Sequence, residues 1–253
     1  MRILLINFSP RAQGNTDKLL RPMAKALQAQ QPLIDCNQLA LRDFQIKPCR
    51  GCRICFDGPE AACPCQDELL SLRDQLAAAD AIVLASPVYV EDISGLCKQW
   101  IDRMAFHCYR PFLQGKPIGL LTTSGGRTSC QALRSLHMAL TAWGGQVISR
   151  DNCCTGARIT AQEAAQRFEP LVKRRAGVLL RHLRRPRLSL YTLTAFKTQQ
   201  RIWRRSPEDH SLGHWQQQGW LAAERWHFSG IAAPWPKKKL AALLGAAVAG
   251  IMR

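Results

Sequence analysis

Apolar residues along the chain follow two alternating periods. Ile3, Leu4, Leu5, Ile6 and Phe8 form a dense run of strand length that ends at Ser9-Pro10. Such a run suits a parallel strand covered on both faces. Pro10 fixes its own φ and pushes Ser9 towards extended geometry, so the strand stops there. Gly14, Asn15 and Thr16 then precede Leu19, Leu20, Met23, Ala24 and Leu27, which share one helical face. The same pattern returns downstream. Apolar runs at 81–85, 117–123 and 146–152, with a shorter one at 32–36, predict four further strands. Helical spacing over 67–79, 94–106, 129–143 and 161–183 predicts the helices between and after them, while 39–48 reads as irregular. Strands and helices alternating in this way predict an α/β fold, a doubly wound five-stranded parallel sheet with helices on both faces.

In such a sheet, ligands bind beyond the carboxyl ends of the strands. Three loops fall at that edge: SPRAQGNT at 9–16, SPVY at 86–89 and TTSGG at 122–126. The helix after the first loop begins with N–H groups that have no internal partner and lie at the positive end of its dipole. A phosphate monoester fits there, with the Ser9 and Thr16 hydroxyls and the Arg11 guanidinium as further donors. An ordinary strand–helix connection capped by Asn15 or Thr16 is the plainer reading of the same residues. Neither GxGxxG nor GxxxxGK(S/T) is present, which removes motif support for a dinucleotide or P-loop triphosphate site.

Composition shifts the picture mainly at the C-terminal end. The 253 residues can hold one domain of average size plus an extension. Hydrophobic content of 47% is ordinary for a globular protein, whereas a formal charge of +17 is not. The charge is regional: residues 167–205 carry twelve Lys and Arg against Glu169 alone. That balance points to an anionic partner or surface for this region. Five of the seven tryptophans (Trp203, Trp215, Trp220, Trp226 and Trp235) follow Gln200, mixed with Arg, Gln and His and without a strand period. Residues 1–183 therefore read as the α/β domain, and 184–253 as a basic, Trp-rich extension that packs, oligomerises or attaches to a surface.

Within that extension, the apolar stretch at 240–252 is too short to span a bilayer. Leu240, Leu243, Leu244, Ala247, Val248 and Ile251 share one helical face after Lys237-Lys238-Lys239. A helix docked on the protein is the preferred reading, with an interfacial anchor as the alternative. Folding and subunit contact are accordingly expected ahead of peripheral membrane contact, and a nucleic-acid partner is not expected.

All eleven cysteines precede Thr155, five of them between 49 and 65. Arg2 leads straight into the first apolar run with no small-residue cleavage site, so no signal peptide is expected and a cytoplasmic, reducing location is. Clustered cysteines in that setting more often bind metal or do redox chemistry than form structural disulfides. Cys49, Cys52 and Cys55 form CxxCxxC, followed by Cys63 and Cys65. Three thiolates at that spacing can wrap one face of a cubane cluster, and a fourth completes it. Zinc also accepts four thiolates, although paired CxxC knuckles are its commoner spacing. Free or regulatory thiols are the third reading. Cys36, Cys97, Cys108, Cys130, Cys153 and Cys154 read as core or surface residues.

Five motifs in this order, SPRAQGNT, PCRGCRIC (48–55), ASPVY (85–89), LCKQWIDR (96–103) and TTSGG, resemble the flavodoxin-like NAD(P)H-dependent FMN reductase family. The cysteine spacing resembles most the iron–sulfur flavoproteins within it. The resemblance covers 1–183 and implies a flavodoxin-like fold, FMN as cofactor and NAD(P)H as electron donor. It implies that Ser9, Arg11, Asn15 and Thr16 hold the FMN phosphate and that Pro87, Val88 and Tyr89 lie along the isoalloxazine ring. It implies further that Thr123, Ser124, Gly125 and Gly126 approach the polar edge of that ring. In related sequences the fourth cysteine stands four residues before an acidic position, as Cys63 does to Asp67. Cys49, Cys52, Cys55 and Cys63 are thus the implied ligands of a [4Fe–4S] cluster, with Pro64 and Cys65 departing from the pattern. Hydride transfer to a flavin requires no protein acid or base, so no residue is assigned a catalytic role. The implied function is an oxidoreductase that passes electrons from NAD(P)H to a quinone, another small acceptor or a redox protein, and a homo-oligomer is expected. The alternative is a flavin electron carrier that docks an acidic partner through its basic segment.

Overall fold

Five strands run parallel in the order β2-β1-β3-β5-β6: β1 (Arg2–Asn7), β2 (Asp35–Ala40), β3 (Ala81–Tyr89), β5 (Pro117–Ser124) and β6 (Gln146–Cys154). This is the doubly wound, flavodoxin-like sheet expected from the alternation. The computed structural model describes residues 1–126, 130–206 and 210–251. A two-residue strand, β4 (Asp92–Ile93), pairs antiparallel with the end of β3. The helices of the domain are α1 (Asn15–Gln30), α2 (Ile54–Asp57), α3 (Leu69–Ala78), α4 (Gly95–Arg103), α5 (Cys130–Ala142) and α6 (Ala161–Arg184).

Successive side chains of a strand point to opposite faces, and the strands build two cores in this way. Leu4, Ile6, Ile82, Leu84, Ile118 and Leu120 pack beneath α3, α4 and α5, where Leu72, Trp100 and Leu136 are fully buried. Ile3, Leu5, Val83 and Leu121 meet Leu19, Leu20 and Leu27 of α1 and Val172, Ala176 and Leu179 of α6. α6 starts with a full capping box, in which the Glu163 amide donates to Thr160 Oγ1 (3.1 Å) and the Thr160 amide donates to Glu163 Oε2 (2.8 Å).

Two element assignments differ from the sequence reading. The second strand lies at Asp35–Ala40 and not at 32–36: Cys36, Asn37 and Gln38 pair with Ile3, Leu4 and Leu5. As the edge strand of the sheet it tolerates Asn and Gln, so the apolar run that marks central strands is missing. β3 also continues past 81–85 to Tyr89, with Pro87 opposite Thr123. The turn that joins it to β4 places Val90 and Glu91 at φ of 49° and 65°, a costly conformation for a β-branched residue.

Among its described residues, the extension forms three helices, α7 (Leu190–Trp203), α8 (His210–Gln217) and α9 (Trp235–Ile251). Phe196, Trp203, Trp215, Trp220 and Phe228 form a separate aromatic core. This unit is bonded to the domain. Trp215 Nε1 donates to the Tyr109 carbonyl (2.7 Å), Gln199 Nε2 to the Ala142 carbonyl (3.0 Å) and Arg110 Nη1 to Ser211 Oγ (3.1 Å). Gly144, at φ +87°, leaves room for the Phe228 ring: a Cβ there would stand 3.1 Å from it. α9 docks, but on the face opposite to the expected one. Ala241, Gly245 and Ala249 are buried against α7, while the leucine face points outward. A Cβ at Gly245 would lie 2.9 Å from Lys197 Cβ, so the two helices approach closely enough to require small residues.

Burial pushes the His107 imidazole down to about 3, although its bond to the Arg110 carbonyl favours the charged form, and burial likewise pushes His227 to about 3. Both stay neutral in the fold, whereas the unfolded chain protonates them from an ordinary value of 6.5 downwards. Their stabilising effect is complete above 6.5 and is lost as pH falls towards 3, at about 1.4 kcal/mol per pH unit for each group. Urea titrations across that window should show a shallower acid dependence in His107→Gln; a slope equal to wild type contradicts the assignment.

Candidate functional site

The carboxyl ends of β1, β3, β5 and β6 enclose a cleft of about 170 Å³. Ten of the eleven residues named for the flavin line it: Ser9, Arg11, Asn15, Thr16, Pro87, Val88, Tyr89, Thr123, Ser124 and Gly125. Gly126 is exposed just beyond and does not line the cleft. Thr155, Gly156 and Ala157, which follow β6, complete the wall and were not foreseen. Their signal was available: a hydroxyl and a glycine directly after a strand, the same pattern as TTSGG.

One end of the cleft is the N-terminus of α1. Its N-cap is Gly14, which offers no side-chain acceptor, whereas Ser94, Thr160 and Ser189 cap α4, α6 and α7. The first-turn amides of α1 therefore keep their donor capacity at the cleft. Thr16 Oγ1 lies 2.8 Å from Thr123 Oγ1, which ties the first loop to β5. Asn15 Nδ2 donates to Thr155 Oγ1 (2.8 Å), which ties it to β6.

A buried carboxylate shapes this loop from below. Asp17 Oδ1 accepts from Asn7 Nδ2 (2.8 Å) and Gln38 Nε2 (3.2 Å), and its Oδ2 accepts from the Gln13 amide (2.9 Å). Arg42 Nη2 stands 3.9 Å from Asp17 Oδ2, and Arg42 Nη1 donates to the Ser9 carbonyl (3.4 Å). Asn7 Oδ1 in turn accepts from the Ser9 amide (2.8 Å). Gln13 takes φ 54° within this network. On the second loop, Ser94 Oγ donates to the Phe8 carbonyl (2.7 Å), accepts from the Cys97 amide (3.2 Å) and so locks the start of α4 to the end of β1.

The cysteine loop forms a second cavity of about 60 Å³, lined by Cys49, Cys52, Cys55, Cys63 and Cys65 with Arg103. Burial raises the Cys55 thiol, and Cys63, Cys49 and Cys52 nearby raise it further. The Gly51 amide donates to Cys49 Sγ (3.5 Å). Cys65 is buried and its Sγ donates to the Pro48 carbonyl (3.7 Å), while Cys63 Sγ accepts from Arg103 Nη2 (3.9 Å). Among the described residues, no three or more His, Cys, Asp or Glu side chains stand close enough to hold a single metal ion. Cys97 and Cys153 are core residues, the latter pushed up to about 12, chiefly by burial.

Arg103 anchors this loop. It pairs with Asp67 at 2.5 Å, both side chains being 2% exposed, and donates to the Lys47 (2.7 Å) and Cys65 (3.1 Å) carbonyls. Burial would raise the Asp67 carboxyl, but the bonds from Arg103 and from the Lys47 and Leu69 amides outweigh it and hold the group low. The acidic position four residues after Cys63 is thus the partner of the last residue of LCKQWIDR. Arg110 performs a similar task nearby. It donates to the Cys55 carbonyl and the Phe56 carbonyl (3.2 Å) and pairs with Glu60 at 3.4 Å.

A family model described as NADPH-dependent FMN reductase matches residues 1–156. The chain is 34% identical over 103 residues to an iron-sulfur flavoprotein of Methanocaldococcus jannaschii, which covers 41% of this chain and 51% of that one. It is 30% identical over 145 residues to an iron-sulfur flavoprotein of Archaeoglobus fulgidus, covering 57% of this chain and 64% of the relative. It therefore spans less than two thirds of the length of either relative. Among solved structures, RosB with bound 8-demethyl-8-formylriboflavin-5'-phosphate superposes with a TM-score of 0.57 over 82% of this chain and 88% of that one, at 14% identity, a likeness of fold. The family match takes in every loop of the cleft up to Gly156 and the whole cysteine loop. The chain belongs to the NADPH-dependent FMN reductase family.

Proposed function

We propose that the chain is an FMN-dependent oxidoreductase that draws electrons from NAD(P)H and passes them to a quinone, another small acceptor or a redox protein. The observation that carries this reading is the convergence of ten expected residues on one cleft beside the uncapped N-terminus of α1. The donor set fits a phosphate monoester: free first-turn amides, the Ser9 and Thr16 hydroxyls and the guanidinium of the exposed Arg11. Once bound, FMN would supply the hydride chemistry. The protein's part is to bind and orient. Pro87, Val88 and Tyr89 offer an apolar wall, and the backbone around Thr123, Ser124 and Gly156 offers polar groups at the opposite side.

The cysteine cavity supports a [4Fe–4S] cluster on Cys49, Cys52, Cys55 and Cys63. Five thiols line one cavity, and Cys49, Cys52 and Cys55 carry the CxxCxxC spacing whose thiolates can wrap one face of a cubane. Zinc accepts four thiolates as well, but paired CxxC knuckles are its commoner spacing. Cys63 is favoured over Cys65 because it stands four residues before Asp67, whereas Cys65 is buried with its Sγ on the Pro48 carbonyl.

Heat release and chromatography of the bound cofactor should yield FMN; recovery of FAD, or no uptake of FMN, rules the reading out. Arg11→Ala should weaken FMN binding by about 1.5–3 kcal/mol, the loss of one hydrogen bond to a charged group. For the cluster, iron analysis after anaerobic purification should show Cys65→Ser unchanged and Cys63→Ser depleted. The opposite result moves the fourth ligand to Cys65, and one zinc per chain removes the cluster. Arg103→Ala leaves the Asp67 charge buried and should cost about 3–5 kcal/mol in thermal or urea unfolding. A cost below about 1 kcal/mol, the level of an exposed ion pair, would refute its anchoring role.

A further inference from the structure

α9 turns its large side chains away from the protein. Trp235, Leu243 and Ile251 are 69%, 64% and 84% exposed, and Leu240, Leu244 and Val248 are exposed as well. By the helical period Leu240, Leu243, Leu244, Ala247 and Ile251 form one stripe, opposite the buried Ala241, Gly245 and Ala249. A contiguous apolar stripe of this kind marks an interaction site. No helix among the described residues is long and apolar enough to cross a membrane.

The surroundings of the stripe identify the partner. Lys237 and Lys239 flank it, and Lys239 Nζ lies 5.1 Å over the Trp235 ring. Beside α9, a cavity of about 260 Å³ is lined by Lys197, Arg201, Arg204, Arg205, Trp226 and Ala242. Lys197 Nζ is held there by Gln200 Oε1 (2.8 Å) and the Arg225 carbonyl (2.7 Å), and lies 4.0 Å over Trp226. The Arg204 guanidinium is fixed on the Leu221 carbonyl (2.9 Å). The sequence from 197 to 251 carries eight Lys and Arg against three acids, Glu208, Asp209 and Glu224, the first two outside the described residues. A second copy meeting this face would set lysine and arginine against their own kind, which disfavours self-association. A lipid surface satisfies both features, with acyl chains for the stripe and headgroup phosphates for the basic cavity.

We propose that α9 and the basic cavity beside it form a reversible docking surface for an anionic lipid bilayer. The apolar stripe enters the boundary between headgroups and acyl chains, Trp235 sits at headgroup level, and Arg201, Arg204 and Arg205 take up lipid phosphates. The docking surface is independent of the flavin reading, because none of its residues lines the cleft.

The test sediments the full chain with vesicles of equal parts phosphatidylglycerol and phosphatidylcholine, and with pure phosphatidylcholine vesicles. The expected result is binding to the anionic vesicles that weakens as salt screens the charges, and little binding to the neutral ones. Leu243→Glu, on the exposed stripe, should lower partitioning by about tenfold or more while leaving the thermal midpoint unchanged. Ala247→Glu gives a second variant at a site with no packing role. Arg205→Gln should lower binding to anionic vesicles by about fivefold and leave the neutral control unaffected. The proposal fails if the wild type ignores anionic vesicles or binds both kinds equally. It also fails if analytical ultracentrifugation finds a dimer that Leu243→Glu dissociates, since the stripe is then covered by a second copy.

Discussion

A parallel sheet buried on both faces admits polar chemistry only where its strands end, and this constraint organises the molecule. β1, β3 and β5 stay apolar on both sides from Ile3 to Ile6, from Ala81 to Ala85 and from Pro117 to Leu121; polar side chains begin at Asn7, Ser86 and Thr122, and the hydroxyls of Ser9 and Thr123 reach the cleft. The first loop must also hold a shape that its own residues do not favour. Asp17 supplies the hold: its buried carboxylate accepts from Asn7, Gln38 and the Gln13 amide, with Arg42 close by. Burying that charge is costly, and the surrounding donors offset it. The result is a loop whose amides are aimed before any ligand arrives, which spares the ligand the entropy of ordering them.

The cysteine loop has no such sheet beneath it. Cys49 and Cys52 are exposed, and the short α2 buries no residue. Its position depends on two arginines that reach up from the domain, Arg103 at the end of α4 and Arg110 beyond it. The planar, multi-donor guanidinium can satisfy a carboxylate and two carbonyls together, which a lysine ammonium does less well. This explains why an arginine ends LCKQWIDR and why an acid lies four residues beyond Cys63. Both positions serve the shape of the loop and leave the sulfurs to face the cavity.

What could be read from the sequence follows from these same forces. The central strands and α1 were legible because two-sided burial writes dense apolar runs. β2 was misplaced because an edge strand needs no such run, and Thr155, Gly156 and Ala157 were missed because hydroxyl and glycine were not sought after the last strand. Asp17 was invisible for a different reason. An acid in a helix's first turn reads as an ordinary partner for the dipole, and nothing in the chain says that it will be buried. α9 was read with its faces exchanged. Hydrophobic periodicity ranks leucine above alanine, whereas a close helix–helix approach selects Ala241, Gly245 and Ala249 and turns Leu243 outward.

Among the contacts that join the extension to the α/β domain, one is a buried charge. Arg110 bonds the Cys55 and Phe56 carbonyls and Glu60 on one side and Ser211 of α8 on the other. A guanidinium has five donors and cannot shed its charge, so each acceptor withdrawn from it leaves an unpaid desolvation cost. Trp215 adds a bond to the neighbouring Tyr109 carbonyl, which fixes α8 beside the same turn. A displacement of α8 would therefore be felt at the carbonyls of Cys55, the last residue of CxxCxxC, and of Phe56 after it. Arg110 thus joins the Trp-rich region to the cysteine loop, although nothing in their compositions links them.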